Sequence, residues 1–278
     1  MIKQALKTVF EIIGYKLIPA SRFNNFSEKD FFEELYSKSK SLNEVMLNVG
    51  AGRSRHDHWI NVDLKASSLS VDWRDKDINH DLLTYTILPF HDDAVDAIYS
   101  SHTMEHIPQA AVDFFFADAK RILKPGAIMR ISVPNTDLAI QSFLRGDKRF
   151  FEEFYSERLE DTSLNNLLVR YVATQAVDPQ FTGNSLHNLE QLSNMNYDEI
   201  LVFLSELCEK CDLEYQALNF MDHVNFFTEK KLIDTFKKSG FKNVKVSGFG
   251  QSRYPHLRDT SIFDKTLSQV SLYVEGIA

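Results

Sequence analysis

Nine histidines and one glycine turn carry most of the chemistry legible in this 278-residue sequence. Residues 47–63 read LNVGAGRSRHDHWINVD. An apolar run enters the turn Gly50-Ala51-Gly52, and a second apolar run stops on Asp63. Glycine lets backbone come close to a ligand, because no Cβ is in the way. A helix N-terminus after such a turn would add free N–H groups able to hold a pyrophosphate or a carboxylate. An acidic residue at the end of the second strand accepts hydrogen bonds from both hydroxyls of a ribose. The stretch therefore describes a ligand with a ribose and something small and polar beside it. A dinucleotide site wants Gly-x-Gly-x-x-Gly with an acidic residue roughly 20 positions further on. Here the third glycine is replaced by Arg55, and Asp63 follows Gly52 by only 63 − 52 = 11 residues. Any helix between them must be short or irregular.

Histidine titrates near neutral pH and suits proton transfer. His223, in MDHVNFF with Asp222 beside it, is the leading candidate for a general base, a core or capping role being the competing reading. His106 and His102 lie together in HTMEHIP. Asn135 follows Pro134 and either orients an acceptor or merely forms a turn. His56-Asp57-His58 and His80-Asp81 look like metal ligands in isolation, but nothing in the sequence brings them together, so they read as polar loop residues and no metal is expected. Cys208 and Cys211 have redox-pair or half-zinc spacing; with no further ligands nearby and a helix-like ILVFLSELCEKC around them, they read as structural. Arg145, Lys148 and Arg149 either meet an anionic acceptor or are solvated at the surface, and the carboxylates of RFFEEFYSERLED read as a solvated helix face.

These residues need elements to position them. EVMLNV, WINVDL, DAIYSS and AIMRISVP are short apolar runs of the kind buried on both faces of a sheet. QAAVDFFFADAKRILKPG between the last two is a helical pattern closed by Lys, Pro and Gly. Strand, helix, strand at these lengths predicts parallel crossovers in a doubly wound α/β sheet. Residues 136–222 lose the strand signals and read as a helical insertion packed on that sheet. The pattern then resumes with the helix FTEKKLIDTFKKSG, capped by Thr228 and closed by Gly240, and with the strands FKNVKVSGFG and SLYVEGIA. In such a fold the loop carrying His223 returns to the carboxyl ends of the strands, where ligands bind. The expected organisation is N-terminal helices (1–40), an α/β core (41–135), the insertion as an acceptor cap (136–222) and completion of the sheet (223–278).

At the N-terminus, MIKQALKTVFEIIGYKLIP reads as an amphipathic helix ending before Pro19. Lys3, Lys7, Glu11 and Lys16 break it too often to span a bilayer. It packs on the core, joins two copies in a homodimer or touches a membrane surface. Ser27 with Asp30 resembles a capping box for a second helix through FFEELYSK. Two cysteines in the whole chain exclude a disulfide framework and favour a reducing, cytoplasmic setting. A net charge of −8 without a long Lys/Arg block disfavours a nucleic-acid partner. With 22 Phe against 10 Gly, the core should be rich in aromatic rings.

The turn and its neighbours together resemble the class I S-adenosylmethionine-dependent methyltransferases. The closest resemblance is to the small bacterial type 11 branch, which includes predicted enzymes associated with surface polysaccharide synthesis. LNVGAG, WINVD, HDLLTYTILPFHDDAVDAIYSSHTMEHIP, RILKPGAIMRISVPN and HVNFFTEKKLIDTFKKSGF carry it, in order, over about residues 45–135 and 223–250. The resemblance implies a seven-stranded, mainly parallel sheet and S-adenosylmethionine as cofactor. It puts Gly50, Ala51 and Gly52 against the methionine part and ribose, Asp63 on the ribose hydroxyls and Leu64 beside the adenine. It puts Asp81 and Leu82 at the adenine amino group and ring, and Ser100, Ser101 and His102 along the sulfonium. The family often has an acidic residue where this chain has Asn48, which keeps a hydrogen-bond acceptor but loses the attraction for an ammonium. The Glu-His pair of the family often braces the loop after the fourth strand, which gives His106 a structural reading beside the catalytic one. The activity implied is methyl transfer to a small polar acceptor, foremost a hydroxyl of a sugar or glycan precursor. The rivals are N-methyl transfer to an amine or amide, a nicotinamide-dependent oxidoreductase, which the missing third glycine disfavours, and a non-catalytic partner-binding module.

Overall fold

The computed structural model describes residues 28–65, 72–155, 159, 161–178 and 189–278. The chain forms two compact units, Met1–Asn43 and Glu44–Ala278. In the first, helix α1 (Glu28–Ser41) follows the expected FFEELYSK pattern, with Lys38 and Lys40 in its last turn, where cations complement the helix dipole. The amphipathic stretch 1–19 and Ser27 lie outside the described residues. Among the described residues no helix is long and apolar enough to cross a membrane.

The second unit contains β1 (Met46–Val49), β2 (Ile60–Asp63), β3 (Ile78–Asn79), β4 (Val95–Ser101), α2 (Gln109–Ile122) and β5 (Leu123–Pro134). Helices α3 (Thr136–Leu144), α4 (Arg149–Tyr155), α5 (Leu164–Val172), α6 (Tyr197–Glu209) and α7 (Leu213–Leu218) follow. Then come α8 (Glu229–Lys238), β6 (Lys242–Ser247) and β7 (Ser271–Ile277). The seven strands form one sheet in the order β3-β2-β1-β4-β5-β7-β6. The pairs among β1 to β5 are parallel, and β7 is antiparallel to both its neighbours. This is the expected doubly wound, mainly parallel α/β sheet. Its order reverses between β1 and β4, where such sheets open a crevice for ligands. Thr228 caps α8 by accepting from Lys231 N–H at 3.1 Å, as its sequence predicts.

One expectation fails. No helix follows the glycine turn; residues 50–59 are turns and bends. Parallel strands usually need a crossover of a dozen or more residues, and here the chain has too few. Two asparagines do the work instead. Asn48 and Asn61 face each other across β1 and β2. Asn48 Nδ2 donates to Ser54 O (2.8 Å) and Asn61 Oδ1 (3.1 Å). Asn61 Oδ1 also accepts from His56 N–H (2.8 Å), and its Nδ2 donates to His56 O (3.2 Å) and Asp77 Oδ1 (2.9 Å). Loop backbone that a helix would have satisfied internally is satisfied by side chains.

Two apolar clusters stabilise the unit. One lies on the sheet, with Leu47, Ile98, Phe116, Phe227 and Phe236 fully buried. The other belongs to the helical segment, around Phe151, Tyr171, Leu204 and Phe226. The chain leaves the sheet at Asn135 and returns at Phe227. These two form a parallel bridge, and Thr136 N–H donates to Phe227 O at 3.1 Å. Cys208 and Cys211 pack against the second cluster, and burial pushes the Cys211 thiol up to about 12. Both behave as small, partly buried hydrophobes.

A buried ion network ties the β6–β7 connection to the sheet. Arg130 on β5 has no exposure, and all five of its N–H groups are used. Nε and Nη2 donate to Asp264 (3.2 and 2.6 Å), Nη1 to Glu275 (3.0 Å) and Ser247 (2.6 Å), and Nη2 also to Gly248 O (2.9 Å). Arg130→Met would leave the buried Asp264 carboxylate without a cation and Glu275 with Arg253 alone, which costs about 3–5 kcal/mol. Arg253, half-exposed and 3.4 Å from Glu275, should cost under about 1 kcal/mol on truncation to Ala. Urea unfolding of both variants checks this, and equal losses would show that the network does not anchor the connection.

His56 lies under the glycine loop, 2% exposed, with its ring stacked on Phe263 at 5.0 Å. Burial first, and His58 second, lower its pKa to about 3. The unfolded chain takes up this proton near 6.5, so the His56 contribution is complete above pH 6.5 and is lost as pH falls toward 3. In wild type, stability should fall faster on acidification than in His56→Gln, by up to about 1.4 kcal/mol per pH unit in that window. Urea midpoints at pH 7 and pH 4.5 measure the difference, and parallel slopes would remove His56 as the cause.

Candidate active site

A cavity of about 730 Å³ opens at the carboxyl ends of β1, β2 and β4. Its floor is the glycine turn. Gly50 (φ +68°) and Gly52 (φ +49°) both hold left-handed backbone. Behind Gly50 stands Thr103, so close that an added Cβ would lie 2.0 Å from its Oγ1. Nothing lies within 4 Å of the corresponding position on Gly52. The turn is closed by Asp63, whose Oδ2 accepts from Gly52 N–H at 2.5 Å and whose Oδ1 accepts from Leu64 N–H at 2.8 Å. Burial raises the Asp63 pKa, against the pull of these two N–H groups.

Leu64, His80, Asp81, Leu82 and Leu83 form the wall beside it. Asp81 caps a single 3₁₀ turn, Leu82–Thr84, by accepting from Leu83 N–H at 2.8 Å. Asn48 and Ala51 also line the cavity, but the amide donors of Asn48 are committed to Ser54 O in the loop and to Asn61 on β2. On the β4 side the lining residues are Tyr99, Ser101, His102 and Thr103. Ser100, expected along the cofactor, is fully buried and does not line the cavity. Side chains alternate along a strand, so a wall built from Tyr99 and Ser101 turns Ser100 away.

The far end of the cavity holds a cluster of titratable groups. Glu105 has 2% side-chain exposure. Its Oε1 lies 3.2 Å from His102 Nδ1 and 3.8 Å from His106 Nε2. Burial opposes its charge, but the facing imidazoles, His102 first, hold the carboxyl at about 2. His106 Nδ1 meets Asp222 O at 3.1 Å, and His223 Nδ1 meets Tyr171 O at 2.7 Å. A carbonyl only accepts, so both imidazoles carry a proton on Nδ1, and in the neutral ring the lone pair is then on Nε2. Burial, and then His106, lower the His223 pKa to about 4. The loops carrying these residues are joined by backbone, since Glu105 O accepts from both Val224 and Asn225 N–H (2.9 and 3.1 Å).

Sequence and structure differ here in instructive ways. The expected partnership of Asp222 with His223 is absent: Asp222 holds His106 instead, through its carbonyl, and its carboxyl does not line the cavity. Asn135 caps α3, accepting from Leu138 N–H at 3.2 Å, which is the turn reading. Arg145, Lys148 and Arg149 stand away from the cavity. Its walls include residues with no sequence signal. Phe154, Gln216, Phe220 and Met221 come from the helical segment, and Ile262, Phe263 and Lys265 to Leu267 come from the β6–β7 connection, whose sequence has neither helix nor strand period.

Gly50→Ala should be costlier than Gly52→Ala. The second meets only unfavourable φ, about 1 kcal/mol or somewhat more, while the first also drives a methyl into Thr103. Urea denaturation compares them, and equal losses would mean that Thr103 does not restrict the turn.

The profile of the methyltransferase domain matches residues 9–246. Among solved structures, the chain is similar to an S-adenosylmethionine-dependent methyltransferase from Archaeoglobus fulgidus, with 13% identity, 89% of this chain and 94% of that one covered, and a TM-score of 0.43. It is also similar to a methyltransferase from Thermotoga maritima described as a possible histamine N-methyltransferase (12%, 88% and 88%, TM-score 0.40). A third likeness is to an S-adenosylmethionine-dependent methyltransferase from Mesorhizobium loti (14%, 84% and 90%, TM-score 0.40). These likenesses are too distant to bear on activity. No curated protein matches the chain. The sequence match, by contrast, runs through the glycine turn, the acidic strand end and the histidine loops, and over that length it places the chain in the methyltransferase-domain family.

Proposed function

We propose that this protein transfers a methyl group from S-adenosylmethionine to a small polar acceptor. The observation that supports this most is that one cavity joins Asp63 at one end to His106 and His223 at the other. The residues present fit the adenosyl group. Asp63 spends one lone pair on each oxygen in closing the turn and keeps others for ribose hydroxyls. Leu64, Leu82 and Leu83 offer apolar edges to a base, and nothing crowds Gly52. The volume lies within the range of small-molecule sites.

When bound, the sulfonium supplies an already activated methyl group. The chain's own task is to align the acceptor and take its proton. Two imidazoles are available for that, and Phe154 packs edge-on against His223 at the same end, its ring centre 6.1 Å away. A hydroxyl of a sugar or glycan precursor is the favoured acceptor, by the type 11 resemblance alone. A second reading, methyl transfer to an amine, has its own support: Glu105 is a buried anion beside the acceptor end and suits a cationic group.

Thermal shift with S-adenosylmethionine, its demethylated product and NAD, each in excess, tests the reading. A ligand at 100 times its Kd adds about 2.7 kcal/mol of stability. Both adenosyl compounds should stabilise the protein, NAD should not, and Asp63→Ala should lose most of the shift. Silence from all three with well-folded protein would favour a partner-binding module, and an unchanged shift in Asp63→Ala would move the ribose site elsewhere.

A further inference from the structure

Glu105, His106 and His223 bring one carboxylate and two imidazoles from loops more than a hundred residues apart into the same end of the cavity. Their ligand atoms all lie within 4.8 Å of one another. Among the described residues it is the one group of three or more such side chains that converges. Each imidazole is oriented by an Nδ1–H bond to a backbone carbonyl, Asp222 O or Tyr171 O, which leaves Nε2 free. Outer hydrogen bonds of this kind orient metal-binding histidines and raise their basicity. The carboxylate is the second observation. Glu105 is 1% exposed, His102 is the near neighbour of its Oε1, and its Oε2 has no hydrogen-bond partner. Only imidazole nitrogens face Oε1. A buried carboxylate with so few donors is costly unless a cation stands beside it. Gln216 repeats the pattern. Its Nε2 donates to His106 O at 2.8 Å, while its buried Oε1, on a residue that also lines the cavity, has no partner.

We propose that Glu105, His106 and His223 bind a divalent transition-metal ion with open positions toward the cavity. Two nitrogens and one carboxylate suit the zinc class of ions, including cobalt, iron and manganese. Magnesium and calcium take oxygen ligands and do not fit this set. Donors about 2.1 Å from such an ion stand roughly 3.4 Å apart in a tetrahedron. The gap of 3.8 Å between His106 Nε2 and Glu105 Oε1 is close to that value, and small side-chain rotations close the rest. His102, with Nε2 on Ser271 Oγ at 2.8 Å, steadies the carboxylate from the other side. An ion here would bind the acceptor oxygen and make its proton easier to lose. That role rests on the methyl-transfer reading; binding of the ion does not.

The test uses the untagged full chain, stripped with chelator and titrated with Co²⁺ alone, without cofactor or acceptor. One equivalent should bind saturably, with visible d–d absorption, and Zn²⁺ should displace it while excess Mg²⁺ does not. Glu105→Gln and His223→Ala should each weaken binding about tenfold or more. His91→Ala, an exposed histidine away from the cavity, should bind as wild type does. Because a variant can fail to fold, the wild-type protein supplies an independent readout: bound Co²⁺ should shift the imidazole proton signals of His106 and His223. Absence of saturable binding, unshifted signals from these two histidines, or equal affinity in folded Glu105→Gln and His223→Ala would overturn the site. The thermal shift with S-adenosylmethionine separates the two claims. Cobalt binding without it removes only the methyl-transfer reading, and its presence without cobalt binding removes only the metal site.

Discussion

Arg130 holds a long connection in the sheet that would otherwise have little secondary structure to hold it. The connection from Gly248 to Val270 has one short 3₁₀ turn and no strand, yet it supplies a wall of the cavity. A segment like this keeps its place only if something fixed reaches into it. The guanidinium reaches from β5 to Asp264 within the connection, to Gly248 where it starts and to Glu275 on the strand that follows it. Asp264 in turn accepts from Gly250 N–H, and its own N–H donates to Tyr99. Burying these charges together is expensive, and full use of every donor is what makes it tolerable. Phe263 is carried with them and lies against Tyr99, Trp59 and His56, so the underside of the glycine loop depends on the same guanidinium.

The elements were legible in the sequence wherever one physical rule decided them. Short apolar runs became buried parallel strands, and Thr228 and Gly240 bounded α8. The glycine turn was legible for the same reason, since left-handed backbone at Gly50 and Gly52 is a local requirement. What could not be read depended on distance in the fold. Glu105 and His223 are 118 residues apart, and no periodicity connects them. Ser100 and Ser101 are identical to a motif reader, and only the phase of β4 separates the one that faces the cavity from the one that does not. A helix after the glycine turn follows from the general pattern, but the pairing of Asn48 with Asn61 across two strands made a helix unnecessary.

The two ends of the cavity differ in how they are built. The Asp63 end is made from strand termini and tight turns, with backbone N–H groups as the main donors. The histidine end is made from loops whose side chains are oriented by carbonyls of other segments, Tyr171 and Asp222. The first end is fixed by the sheet. The second requires the helical segment to be folded before its imidazoles point anywhere in particular.

That helical segment begins and ends at neighbouring points, because Asn135 and Phe227 are bridged. Closing a loop costs entropy that grows only as the logarithm of its length, so a long excursion from one point of a sheet is nearly as affordable as a short one. The sheet would register little difference if the excursion were longer, shorter or of another sequence, provided the bridge survived. Phe154, Gln216, Phe220 and His223 belong to the excursion; Gly50, Asp63 and Asp81 do not. A lineage could therefore exchange the share of the cavity that Phe154, Gln216 and His223 supply while inheriting the rest, Glu105 and His106 included.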